Sequence, residues 1–191
     1  MKTKKNQVKQ QIVATLVVVF MFGMVLGSMD VRDAEAIGSN SLLRQVVLAG
    51  SLSLEATNFL LFPSVTLNAT AQNSTANLGQ VNMRDPRGTG AGWTAIGSAN
   101  NMVAANGAVI SNVHLSWAPG TIYALDGSSN AGVAAGASYS GNFGDGTRTL
   151  ANTSTNNGLG NYVINGTILN LLILPSTLAG TYENTLTLTI S

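Results

Sequence analysis

The sequence predicts an all-β fold, a β-sandwich of about eight strands preceded by an N-terminal signal-peptide helix, and three observations predict it. Beyond Ile37 no stretch keeps a 3.6-residue apolar period. Period-2 alternation recurs instead, as where Leu186, Leu188 and Ile190 alternate with Thr185, Thr187 and Thr189. Clusters of Gly, Asn, Ser and Pro bound the alternating runs, as turns bound short strands.

The leader comes first. Lys2, Lys4, Lys5 and Lys9 precede an uncharged run from Ile12 to Met29, densest from Leu16 to Leu26. Ala34-Glu35-Ala36 then supplies the small-residue pattern of signal-peptidase cleavage, with Ile37 as the first mature residue. The chain thus divides into a signal peptide, 1–36, and one domain, 37–191. The alternative is an uncleaved anchor, since the run approaches the ~20 residues a spanning helix needs. Either way the lysines send the rest of the chain across the membrane, and the expected membrane contact is through this segment alone.

The mature part carries Arg44, Arg84, Arg87 and Arg148 against Glu55, Asp85, Asp126, Asp145 and Glu183, a net charge of −1 with His114 neutral. The +1 of the whole sequence therefore comes from the leader, and no basic stripe exists to bind nucleic acid. Charge this sparse leaves a surface of Asn, Ser, Thr and Gly, which resists self-association poorly. The absence of cysteine removes disulfides, thiol catalysis and Cys-based metal sites together.

The strand candidates, in chain order, are Val46 to Leu54, Val65 to Ala71, Leu78 to Met83, Trp93 to Ser98, the alternation Val109, Ser111, Val113, Leu115 and Trp117, and Thr121 to Leu125. Ile164 to Leu174 reads as one long strand, reversed at Pro175 and Ala179-Gly180 into the terminal strand, so that 162–191 forms an antiparallel hairpin. Asp126 to Asn161 has few large apolar residues and is expected to hold weak edge strands and long loops.

Two stretches carry a family resemblance. The run Leu78-Gly-Gln-Val-Asn-Met-Arg-Asp-Pro-Arg-Gly-Thr-Gly-Ala-Gly-Trp93 and the ending Ala179-Gly-Thr-Tyr182-Glu-Asn-Thr-Leu186-Thr-Leu-Thr-Ile190, with Leu174-Pro175 before it, resemble the two motifs of the bacterial WxL-like cell-surface domains. The match spans about residues 45–191. Trp93-Thr94-Ala95 has Ala where the name-giving Leu stands, and Leu188 takes the place of the second motif's usual Trp, so the sequence is WxL-like rather than a strict member. The resemblance implies an Ig-like sandwich on a bacterial surface, held non-covalently to the wall, where peptidoglycan binding is attributed to strict WxL domains. No Leu-Pro-x-Thr-Gly sorting motif lies near residue 191.

Trp93, Trp117 and Tyr182 are the candidate glycan contacts, because an aromatic face with a polar rim holds the apolar face of a sugar. The competing role for Trp93 is in the core, and Trp117, before Pro119-Gly120, fits core or surface equally. Asp85 and Arg87 flank Pro86 and are expected to pair locally. Gly88 to Gly92 reads as a tight loop and not a phosphate cradle, since no Lys-Ser/Thr or helix comes after it. Leu186 is the apolar anchor of the second motif.

Asp126-Gly-Ser-Ser-Asn130 lacks the glycine and glutamate of a calcium loop, and a lone histidine makes no zinc site. No Gly-x-Ser-x-Gly elbow accompanies His114, which alternation places on the solvent face. The expectation is a secreted, non-enzymatic, wall-associated surface protein with no metal or cofactor and with wall glycan or other surface proteins as partners. The alternative is a self-assembling subunit of a surface layer or fibre, joined edge to edge.

Overall fold

Period-2 alternation decides which face of each strand is buried. In the computed structural model, which describes residues 42–57, 59–139 and 141–191, the run Trp93–Ala99 buries Trp93, Ala95, Gly97 and Ala99 and turns the residues between them outward. The signal-peptide helix and the Ala36–Ile37 cleavage site lie outside the described residues. Val46–Ser191 forms one compact unit, separate from the residues before it.

The protein is all-β, with no α-helix among the described residues. In chain order the strands are β1 (Ser53–Ala56), β2 (Gln72–Asn77), β3 (Val81–Asp85), β4 (Trp93–Ala99), β5 (Met102–Ala104), β6 (Val109–Ile110), β7 (Leu115–Ala118), β8 (Thr121–Leu125), β9 (Val133–Ala135), β10 (Arg148–Thr153), β11 (Gly160–Asn165), β12 (Ile168–Ile173), β13 (Tyr182–Glu183) and β14 (Leu186–Ile190). All pairings are antiparallel. There are more strands than the eight or so expected, because several are halves of one bent strand.

The bend is clearest in the first layer. β2-β12-β7 continues into β3-β11-β8, with β1 added outside β3. Register runs through without a slip: Ile168 faces Asn77 and Ala118 before the bend, and Ile164 faces Val81 and Ile122 after it. The three strands turn together at Leu78-Gly79-Gln80, Pro119-Gly120 and Gly166-Thr167, as strands do where they pass from one sheet to another. Thr167 pins the corner. It is fully buried, its carbonyl accepts the Leu78 N–H at 2.9 Å, and its hydroxyl accepts the Gly120 N–H at 3.1 Å. A Cβ on Gly120 would collide with the Asn165 carbonyl, so only glycine lets the strands pass this close.

The second layer, β14-β4-β10-β9, continues into β13-β5-β6. Leu186 faces Ala99 while Glu183 faces Val103, so one extra residue sits on the β4–β5 side of this bend, as in a bulge. The core fills the space between layers. Trp117 of β7 lies edge-on to Phe143, centroids 5.2 Å apart, and covers Gly97 of β4, where a Cβ would meet the indole. Trp93 of β4 meets Tyr162 of β11 at 5.7 Å. Each tryptophan therefore ties one layer to the other.

Several sequence expectations are corrected. Residues 42–50 form no strand, and of Val46 to Leu54 only the end joins β1. Val65 to Ala71 is not a strand either; its polar neighbour β2 is, burying Ser74 and Ala76. The run from Val109 to Trp117 is cut by a 3₁₀ turn at Asn112–His114, capped by Ser111, so Ile110 faces the core while Val109 and Val113 face solvent. Ile164 to Leu174 divides at Gly166, whose φ of +80° favours glycine. Residues 162–191 are not a hairpin, because β12 pairs with β2 and β7 in one layer and β14 with β4 in the other. Within Asp126 to Asn161, β10 is a central strand that buries Leu150 and Ala151.

Candidate functional site

Two places gather the residues that sequence reasoning singled out. The first is the end of the sandwich where β3 runs into the loop before β4. Alternation buries Val81, Met83 and Asp85 on one face of β3, which sinks the Asp85 carboxylate into the protein with 1% of the residue exposed. An isolated carboxylate there would be costly, and Arg87 answers it from two residues away. Asp85 Oδ1 accepts from the Arg87 backbone N–H at 3.1 Å and from Nε at 2.8 Å, and Oδ2 accepts from Nη2 at 2.9 Å.

Arg87 Nη2 also donates to the Gly92 carbonyl at 2.7 Å, closing the Gly88 to Gly92 loop onto the strand that enters it. Gly88 and Gly92 take positive φ values of 69° and 76°, and a Cβ on Gly92 would press on the Thr153 and Ser154 backbone. The arginine beside Asp85 holds its carboxyl below the ordinary 3.8, against the opposing pull of burial. The same hydrogen bonds raise Arg87. Burial pushes the Tyr162 phenol above its ordinary 10.0, and the nearby Asp85 charge adds to this. Trp93 Nε1–H donates to the Gly158 carbonyl at 2.8 Å.

This end therefore has its polar groups committed to one another, and the first motif builds a corner of the fold. Trp93 is 3% exposed and Trp117 2%, so neither offers a ring face to a sugar; the core role holds for both. The indoles are buried because each spans the gap between layers. His114 sits half-buried in its 3₁₀ turn and not on a strand face. Asp126 accepts from the Asn161 side-chain amide at 2.6 Å. Among the described residues no three of His, Asp or Glu gather where a metal ion could sit.

The second place is an apolar groove of about 1440 Å³ on the open side of the sandwich. Leu54 and Ala56 of β1, Leu169 and Leu171 of β12, and Leu186 and Leu188 of β14 line it. Among the described residues β1 pairs only with β3 and β14 only with β4, so two sheet edges contribute to the lining of the groove. The strandless segment 59–67 forms one wall, turning Leu60 and Phe62 toward the core while Phe59 and Leu61 are 75% and 73% exposed. Tyr182 stands at the other wall, half-buried, its hydroxyl donating to the Leu178 carbonyl at 2.7 Å. Of the three aromatic candidates it alone keeps a partly exposed ring. Leu186, named in the second motif, is part of the floor.

Sequence reasoning missed the apolar residues before β1. Leu42, Leu43, Val47 and Leu48 are each more than 80% exposed. The signal was legible: Val46-Val47-Leu48 is consecutive and does not alternate, so it fits no half-buried strand.

No family model and no curated protein matches the chain. Among solved structures, the chain is similar to a family 123 glycoside hydrolase from Clostridium perfringens, described by its structural analysis of glycolipid glycan hydrolysis, at 16% identity and a TM-score of 0.32. That match covers 74% of this chain and 24% of the hydrolase, so the chain spans about a quarter of that protein's length.

Proposed function

We propose that this chain is a non-enzymatic structural subunit exported to a bacterial cell surface, where it associates with copies of itself. One observation carries the reading: the domain presents an apolar groove lined by core-type residues and also leaves Val47 and Leu48 nearly fully exposed. Apolar surface of this kind marks a place where another protein sits. The sparse charge of residues 37–191 supports it, since little repulsion keeps copies apart. The leader and the WxL-like motifs support export and a wall setting.

Sedimentation velocity of protein recovered from the envelope of expressing cells tests the reading. Species that grow with concentration are the expected result. A second reading, wall-glycan association, is favoured by the WxL-like motifs and by Tyr182 at the groove, and a pull-down with insoluble peptidoglycan tests it beside a tube without wall. Pelleting only with wall would replace the self-association reading by this one. A monomer that stays soluble in both tubes would sink both.

A further inference from the structure

We propose that β2 is the edge at which one copy joins a second: two β2 strands pair antiparallel about a twofold axis and fuse their sheets into one. This rests on the self-association reading and names its joint. β2 borders the groove, since the Ser74 hydroxyl donates to the carbonyl of Pro63 in the groove wall at 3.1 Å.

The other edges are each covered or too short. β1 and β14 lie against each other, as do β8 and β9. Along β7 the Trp117 carbonyl accepts the Tyr139 N–H at 2.9 Å, and Ser116 forms a bridge with Asn142. β6 and β13 have two residues each. β2 has six, and among the described residues its backbone pairs with β12 alone. Gln72 and Ser74 reach residues 63–66 only through their side chains, which leaves the outer backbone edge of β2 unpaired.

Exposed edges are ordinarily guarded by charge, proline or a bulge. β2 has none of these: its register with β12 is unbroken, and no charged residue lies between Glu55 and Arg84. A twofold joint sets a strand against its own sequence, so a charged strand repels itself and an uncharged one does not. With Thr75 facing Thr75 of the second copy, Asn73 faces Asn77 and Ser74 faces Ala76. Asn73, Thr75 and Asn77 are all exposed on the outer face.

Asn77 Oδ1 already accepts the Gly79 N–H at 2.8 Å, so its amide NH2 is left to donate to the Asn73 side chain across the joint. Ser116, Asn170 and Thr75 stand in register, and this row of uncharged hydrogen-bonding groups would run on through the axis. The β2-β12-β7 sheets of two copies, three strands each, would become one sheet of six. Both copies use the same surface, so the contact closes on itself and makes pairs.

The test uses the exported full-length product carrying T75K and, separately, T75E. The Thr75 side chain lies outside the core, so near-ultraviolet circular dichroism of the buried tryptophans should be unchanged in both. In sedimentation velocity each variant alone should need about tenfold more protein to pair, because like charges meet at the axis. An equimolar mixture of the two should recover the unmodified behaviour, because opposite charges then meet.

The chain has no cysteine, so a short bifunctional maleimide should link T75C copies into pairs and should not link T121C, placed on the exposed side of β8. Pairing of T75K or T75E as tight as that of the unmodified protein, a mixture that does not recover, or equal cross-linking of T121C overturns the β2 joint while self-association stands. An unmodified protein that stays monomeric overturns both.

Discussion

At the Asp85 end of the sandwich the buried side-chain polar groups are partnered: Arg87 spans Asp85 and Gly92, Trp93 reaches Gly158, and Trp93 packs on Tyr162 of the other layer. Elsewhere in the domain, the groove is lined by half-buried leucines of β1 and β14 above buried leucines of β12, and its wall carries exposed Phe59 and Leu61. Both regions come from the same alternation of residues in edge and central strands. The difference lies in whether a further layer covers them, and it teaches that the domain is held by one region and presents the other.

Variants should separate the two regions by the size of their effect on unfolding. Trp117→Ala empties the junction between layers and should cost about 4 kcal/mol in chemical denaturation; a loss below about 1 kcal/mol would break the contrast. Asp85→Ala should cost about 3 kcal/mol, because the arginine and the loop it closes lose their anchor.

The Asp85 carboxyl is depressed in the fold, so its contribution is fully present above the unfolded value of 3.8 and is lost as pH falls through the lower folded value. Denaturation midpoints measured from pH 7 downward should therefore hold until about pH 5 and fall below about pH 4, and Asp85→Ala should flatten that fall. Trp93→Phe leaves the Gly158 carbonyl without its donor and should cost about 1–2 kcal/mol. Leu48→Ser, on the presenting side, should change unfolding by less than about 0.5 kcal/mol. A large loss there would mean that the segment serves its own domain.

Fold class was legible because alternation is local: Trp93–Ala99, Thr121–Leu125 and Leu186–Ile190 read correctly from sequence. The corners were not. Thr167 and Gly120 look like ordinary turn residues, and only their partners across the layer show that three strands bend together. β2 escaped notice because Gln72–Asn77 has no large apolar residue, and the layer above it is satisfied by Ser74 and Ala76. The candidate site divided the same way. The Asp85–Arg87 pair was readable from its spacing, whereas the groove depends on which edges lie next to each other, and β1 and β14 lie far apart in sequence.

The ladder that joins β4 to β14 has a consequence in time. Thr94 and Ser191 exchange backbone hydrogen bonds at 2.8 and 3.1 Å, and β3 likewise waits for β11. A chain delivered from its N-terminal side, by ribosome or by translocation, therefore emerges with β2, β7 and β8 before any of their partners exist. Pairings this distant in sequence form slowly. Residues 160–191 supply β11, β12, β13 and β14, to which β2, β3, β4, β5, β7 and β8 pair, so both layers are completed only when these residues arrive, and a chain stalled or clipped before them leaves β2, β7 and β8 without partners.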